Sequence, residues 1–116
     1  MSCAENTVCI GPFVTGERPV PLEYQFQNSD GSPRDITAFA VRFIWREKDG
    51  APTTRNGLLS GTPTDGKVTY VWQGDEFLTP GHYLAEFWVG NGANLKFASV
   101  KITWDVRAAV GPVPAI

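Results

Sequence analysis

Apolar and polar positions alternate in several short blocks along this chain. Leu22, Tyr24 and Phe26 alternate with Glu23, Gln25 and Gln27. A period of two predicts a half-buried strand with one face on a core. Val41, Phe43 and Trp45 alternate with Arg42, Ile44 and Arg46 in the same way. Val68, Tyr70 and Trp72 form one face of a third strand, opposite Thr69, Val71 and Gln73. Tyr83, Ala85, Phe87 and Val89 form one face of a fourth, with Leu84, Glu86 and Trp88 behind it. Ala98, Val100, Ile102, Trp104 and Val106 predict one long final strand. Residues 58–61 read as a short, weak strand. Residues 74–78 suit a single helical turn, since Asp75 and Glu76 favour a helix start. No amphipathic helix of useful length is present.

Asp-Gly and Asn-Gly pairs separate these blocks: Asp30-Gly31, Asp49-Gly50, Asn56-Gly57, Asp65-Gly66 and Asn91-Gly92, with Pro80-Gly81 as a further turn. Glycine accepts the positive φ such turns require, and Asp and Asn tolerate it better than most residues. Residues 90–94, GNGAN, read as a short hairpin loop. About seven short strands at this spacing predict an all-β, immunoglobulin-like antiparallel sandwich, with a small barrel as the competing architecture. The sandwich is expected over residues 20–107. Residues 1–19 show no sustained period and read as an extended N-terminal segment. Residues 108–116, AAVGPVPAI, carry no charge. Pro112 and Pro114 disfavour a central strand there and favour an extended arm.

Composition narrows the picture. The 116 residues fit one domain, and 42% hydrophobic content excludes a disordered chain. The formal net charge is −2, with acids and bases mixed, which disfavours direct nucleic-acid binding. No apolar run approaches the roughly 18 residues of a membrane span. The N-terminus lacks a basic and then apolar leader, so export by the general secretory route is not expected. Cys3 and Cys9 share one short segment and are read as two free thiols. A bridge between them closes only a small loop.

Candidate chemistry is sparse. His82 is the sole histidine, so every Ser-His-Asp or Cys-His arrangement must use it. Its place after a turn suits a structural or exposed residue. The adjacent acids Asp75 and Glu76 do not face one another across a substrate, and a solvated loop accounts for them. No phosphate loop, dinucleotide fingerprint or calcium loop is present. The expectation is therefore no catalytic residue, no cofactor and no metal. Ile44 and Trp88 stand out, because each lies opposite the main apolar set of its strand. Either these strands are buried on both sides, or they present an aromatic patch to a partner protein or a sugar. The arm leaves the same kind of choice: a loose end, or a segment whose Val110, Pro112, Val113, Pro114 and Ile116 dock on a neighbouring subunit.

Two runs carry a family resemblance. FVTGERPVPLEYQFQNSDGSPRDITAFAVRFIWREKDG resembles the opening of a tailed-phage virion domain, with a strand, a DGSP-x-DIT turn, a long strand and a second DG turn. DGKVTYVWQGDEFLTPGHYLAEFWV is similar to the second half of the same family. That family is the N-terminal immunoglobulin-like domain of the phage baseplate upper protein. The resemblance spans roughly residues 13–106. It implies a non-enzymatic structural component of a tailed-phage virion, assembled in the host cytoplasm. It implies other virion proteins, capsid or tail subunits, as partners, and a homo-oligomer, either a trimer or a ring. The chain stops about ten residues past the sandwich, which suggests a free-standing module: a tail or baseplate component, a neck protein or a capsid decoration. An adhesion or carbohydrate-binding module on the virion surface is the alternative.

Overall fold

In a computed structural model, which describes residues 7–92 and 95–116, the chain folds into two packed β-sheets. The strands are β1 (Thr7–Val14), β2 (Leu22–Gln25), β3 (Ala40–Glu47), β4 (Thr53–Asn56), β5 (Leu58–Leu59), β6 (Lys67–Tyr70), β7 (Gly81–Gly90), β8 (Lys96–Ala98) and β9 (Lys101–Arg107). The larger sheet runs β1-β9-β7-β3-β4, with β8 also on β7; the smaller runs β2-β6-β5. Among the described residues nine strands thus stand where about seven were expected. The additional ones are β1 and pieces of two to four residues. The chain crosses between sheets at Gly57, where an added Cβ would meet Val41 Cγ1 at 2.7 Å. Asn56-Gly57, expected as a turn, is therefore a step from β4 in one sheet to β5 in the other.

The inward positions are the alternating apolar ones. Phe43, Val68, Phe87 and Phe77 are fully shielded from solvent, and Tyr70, Val89 and Ile102 nearly so. Phe43 stacks on Tyr70 across the sheets at 4.1 Å between centroids and tilts against Phe87 at 4.9 Å. Trp72 packs edge-on against Trp104 at 5.3 Å. Burial of such rings supplies most of the gain in folding.

Two departures from the alternation have local causes. The expected final strand is broken into β8 and β9. Trp88 pairs with Ala98 and Ala85 with Ile102, so three residues, 99–101, face two, Glu86 and Phe87. This is a β-bulge. Ser99 holds it: its N–H donates to Phe87 O at 2.8 Å, and its hydroxyl accepts the Phe87 N–H at 2.9 Å. The bulge inverts the facing, so Ala98 turns to solvent and Phe97 takes the inward place. The expected hairpin at residues 90–94 joins β7 to β8, and Ala93 and Asn94 lie outside the described residues.

The second departure is β1. Within the segment read as extended and without period, Thr7–Val14 pairs in parallel with β9, which makes the larger sheet mixed. Its register shifts between Ile10 and Phe13, which erases a period of two. Phe13 still reaches the core, edge-on to Phe77 at 4.9 Å. Cys9 is disulfide-bonded, so the expectation of free thiols fails there; Cys3 lies outside the described residues. The cellular-compartment argument concerned redox environment and is blind to which sulfurs the fold brings together.

The turn Asp75–Phe77 forms as expected, as a single 3-10 turn, but its acids are not a solvated pair. Glu76 is completely buried and accepts the Gly74 N–H at 2.8 Å, the Gln73 N–H at 3.1 Å and the Tyr70 hydroxyl. Asp75 stays partly exposed and takes the fork of Arg55, with Nη1 at 2.7 Å. Arg55 comes from β4 and Tyr70 from β6, so this cluster ties the two sheets.

The Arg55 guanidinium holds the Asp75 carboxyl below its usual value near 3.8. Asp30 and Asp35 are lowered too, by the Ser32 and Thr37 hydroxyls they accept from. A carboxyl depressed in the folded state stabilises it fully above the unfolded value and loses that contribution as pH falls through the folded value. The urea midpoint is therefore expected to be constant from about pH 7 to pH 5 and to fall below about pH 4. Asp75→Asn should flatten part of that fall, modestly because the pair is solvent-screened. An unchanged midpoint at pH 3 in the parent protein would contradict it.

Candidate interaction surface

The pairing of β3 with β7 sets Arg42 opposite Trp88, Ile44 opposite Glu86 and Arg46 opposite Leu84. All six side chains point away from the core, since their neighbours Val41, Phe43, Ala85, Phe87 and Val89 point into it. Ile44 and Trp88 therefore share one outer sheet face, and both are half-buried. Of the two readings left open, neither holds in full: no second layer among the described residues covers the face, and the apolar groups are partly shielded by neighbours. Glu86 accepts the Trp88 indole N–H at 2.8 Å, which fixes the ring on the sheet.

Two shallow depressions flank Ile44. One is lined by Arg42, Thr54, Trp88 and Lys96; the other by Arg46, Leu84, Glu86 and Lys101. The floor is apolar, from Ile44, Leu84 and Trp88, and the rim is cationic. An apolar centre within a polar rim is the anatomy of a protein interface. The sequence pointed to Ile44 and Trp88 but not to Leu84 or the four cations. The same alternation that exposes Trp88 places Leu84 on the same face, beyond Glu86; that Lys96 and Lys101 join them depends on the bulge, which no spacing reveals.

The apolar arm lies elsewhere, beside the turn after β1. The Ala109 N–H donates to Thr15 Oγ1 at 3.0 Å. Val113 rests over Gly16, where an added Cβ would lie 2.6 Å from Val113 Cγ2. Val110 and Ile116 stand free in solvent at 99% and 115% of full exposure, and Pro112 and Pro114 are exposed as well. The arm and the Trp88 face are thus two separate surfaces.

His82 sits at the other end of the outer face, opposite Asp105 on β9, with Nδ1 and Oδ1 2.5 Å apart. Cys9 lines the same shallow depression. Its sulfur is already committed to a disulfide and so is not a thiolate nucleophile. The three residues reproduce the types of a Cys-His-Asp set without its chemistry.

A family model, the BppU N-terminal domain, matches residues 23–112. The chain belongs to this family. BppU is the baseplate upper protein of tailed phages, so the chain is a structural domain of the phage virion, as the sequence resemblance implied. The matched BppU region includes β2 from Glu23 onward, β3 to β9, the whole Trp88 face and the first part of the arm, up to Pro112. No curated protein matches the chain.

Proposed function

We propose that this domain is a non-enzymatic assembly subunit of the baseplate that grips neighbouring virion proteins through two surfaces, the Trp88 face and the arm at residues 108–116. The observation that carries the reading is the uncovered outer sheet face, with an apolar floor and cationic rim, in a domain of a baseplate family. The arm adds to it. Val110, Val113 and Ile116 place apolar surface in water that no described residue covers fully, and assembly would recover that burial.

Family membership favours the baseplate over a neck or capsid-decoration site. The carbohydrate-binding reading has less support. A sugar site wants carboxylates and amides free to bond beside an aromatic ring, and the carboxylate nearest Trp88 is already bonded to its indole.

Deleting residues 108–116 is expected to reduce incorporation into reconstituted baseplates at least severalfold. The unfolding free energy should change by less than about 1 kcal/mol, because the arm's side chains are largely exposed. Undiminished incorporation would remove the arm from the interface.

A further inference from the structure

The cations around Trp88 find no carboxylate partner within the fold. Arg42 and Lys96 line the depression beside Trp88, and Arg46 and Lys101 the one beside Leu84. Among the described residues, the ion pairs are Arg55 with Asp75 and Glu76, and His82 with Asp105. Arg55 lies opposite Phe43 and so belongs to the core side of its sheet. Arg42 and Arg46 donate only to main-chain carbonyls, at Val41, Glu47 and Lys48, which holds them at the rim without neutralising them. One acid, Glu86, stands among the four cations, and one of its oxygens already accepts the Trp88 indole N–H. In a chain whose net charge is −2, this is a local excess of positive charge beside an apolar floor.

The arrangement selects the form of an occupant. A sheet face presents side chains, whereas free main-chain donors and acceptors lie at the edges. A segment lying on the face must therefore satisfy its own backbone hydrogen bonds. A helix does so and gathers its apolar residues into one stripe. Leu84 and Trp88 lie four residues apart on β7, about 13 Å at the rise of a strand. Ile44, opposite Glu86, lies between them on the neighbouring β3. Helical positions i, i+4 and i+8 span about 12 Å and match these three. β7 has β3 on one side and β8 and β9 on the other. A helix laid along β7 thus meets Arg42 and Arg46 on one flank, and Lys96 and Lys101 on the other.

We propose that the Trp88 face takes an acidic amphipathic helix of a different virion polypeptide. The apolar stripe of that helix lies along Trp88, Ile44 and Leu84, with Asp and Glu residues on both flanks. Exposed ion pairs contribute little each, so the stripe supplies most of the affinity, and the charges set partner choice and orientation. This rests on reading the Trp88 face as an assembly surface, and names the chemistry of its partner.

Fluorescence anisotropy of labelled peptides titrated with the full chain tests it. The probe is a peptide of about 20 residues, long enough to be helical alone, with a Leu stripe, Glu on both flanks and Ala behind. One control has Lys in place of Glu; another has the same residues scrambled so that the stripe is lost. The Glu helix should bind on the order of tenfold or more tightly than either control, and less tightly as salt is raised. Lys96→Glu with Lys101→Glu, at two exposed positions, should abolish the preference for Glu over Lys. Trp88→Ala should weaken the Glu helix and leave that preference in place. Equal binding of the Glu and Lys helices overturns the proposal, as does no binding of the Glu helix at millimolar concentration, or a double lysine variant that keeps the preference. A single-stranded DNA of equal charge that displaces the Glu helix and binds more tightly would make the face a phosphate surface, and overturns it too. Incorporation of the double lysine variant into reconstituted baseplates separates this from the broader reading. Lost incorporation without any peptide preference discards the helix and keeps the assembly face; full incorporation discards both.

Discussion

Replacing Glu76 with alanine is expected to cost about 3–5 kcal/mol of stability, the loss typical of removing one partner from a buried charge cluster. The carboxylate is completely shielded and gathers donors from three places: the main chain at Gln73 and Gly74, the Tyr70 hydroxyl, and Arg55, whose Nη1 lies at 3.7 Å. Alanine leaves a buried hydroxyl and two part-buried N–H groups without acceptors, at roughly 1–3 kcal/mol for each group that water cannot reach. Burial and the neighbouring carboxylate both push the Tyr70 phenol well above its ordinary range, so it is a donor at neutral pH. Glu76→Gln keeps the shape and one acceptor oxygen and is expected to cost less, about 1–3 kcal/mol. Urea unfolding followed by tryptophan fluorescence measures both. An alanine loss under about 1 kcal/mol would show that water refills the site and that the cluster is not what joins β4 to β6.

Gly66→Ala is expected to cost about 3–4 kcal/mol, adding the left-handed backbone penalty to overpacking. Gly66 follows the turn Pro63–Asp65 at φ +68. An added Cβ would lie 2.5 Å from Phe26 O and 2.6 Å from Arg34 O. Neither oxygen can retreat freely. Phe26 O accepts the Arg34 N–H at 2.9 Å, and the Gly66 carbonyl itself accepts the Phe26 N–H at 2.8 Å. The strain falls where the loop from β2 to β3 crosses the smaller sheet. The same chemical-denaturation assay reads it, with Gly92→Ala as the control. Gly92 also has a positive φ, at +80, but nothing lies within 4 Å of its Cβ position. Equal losses at the two sites would assign the whole effect to φ and none to the crossing.

The strands legible in the sequence were those with one wet and one dry face. β2, β3, β6 and β7 appear where alternation placed them, because a period of two survives only when each strand faces a core on one side. β1 was not legible, since an edge strand with a register shift has no uniform face to pattern. The final strand was legible in existence but not in facing. Its bulge is held by one serine hydroxyl, and serine in a strand looks like any polar outward residue. Glu76 was misread for a related reason. Two adjacent acids in a turn normally point to water, and only the positions of Arg55 and Tyr70, distant in sequence or on another strand, explain the burial of one of them. Of the candidate surface, Ile44 and Trp88 were marked by their wrong-side position. Their basic surroundings are assembled from three strands and were invisible to local spacing.

What the sequence determined by itself was the all-β class, the alternating core and the family of baseplate domains, because these reside in local period and in the order of turns. The absence of an evident catalytic set belongs with them, and the family of structural domains agrees with it. Tertiary structure alone decided which polar residues are buried, which way the last strand faces and where charge collects. Those outcomes depend on pairing between residues far apart in the chain. Such pairing placed an apolar floor and a basic rim on the outer face of the larger sheet.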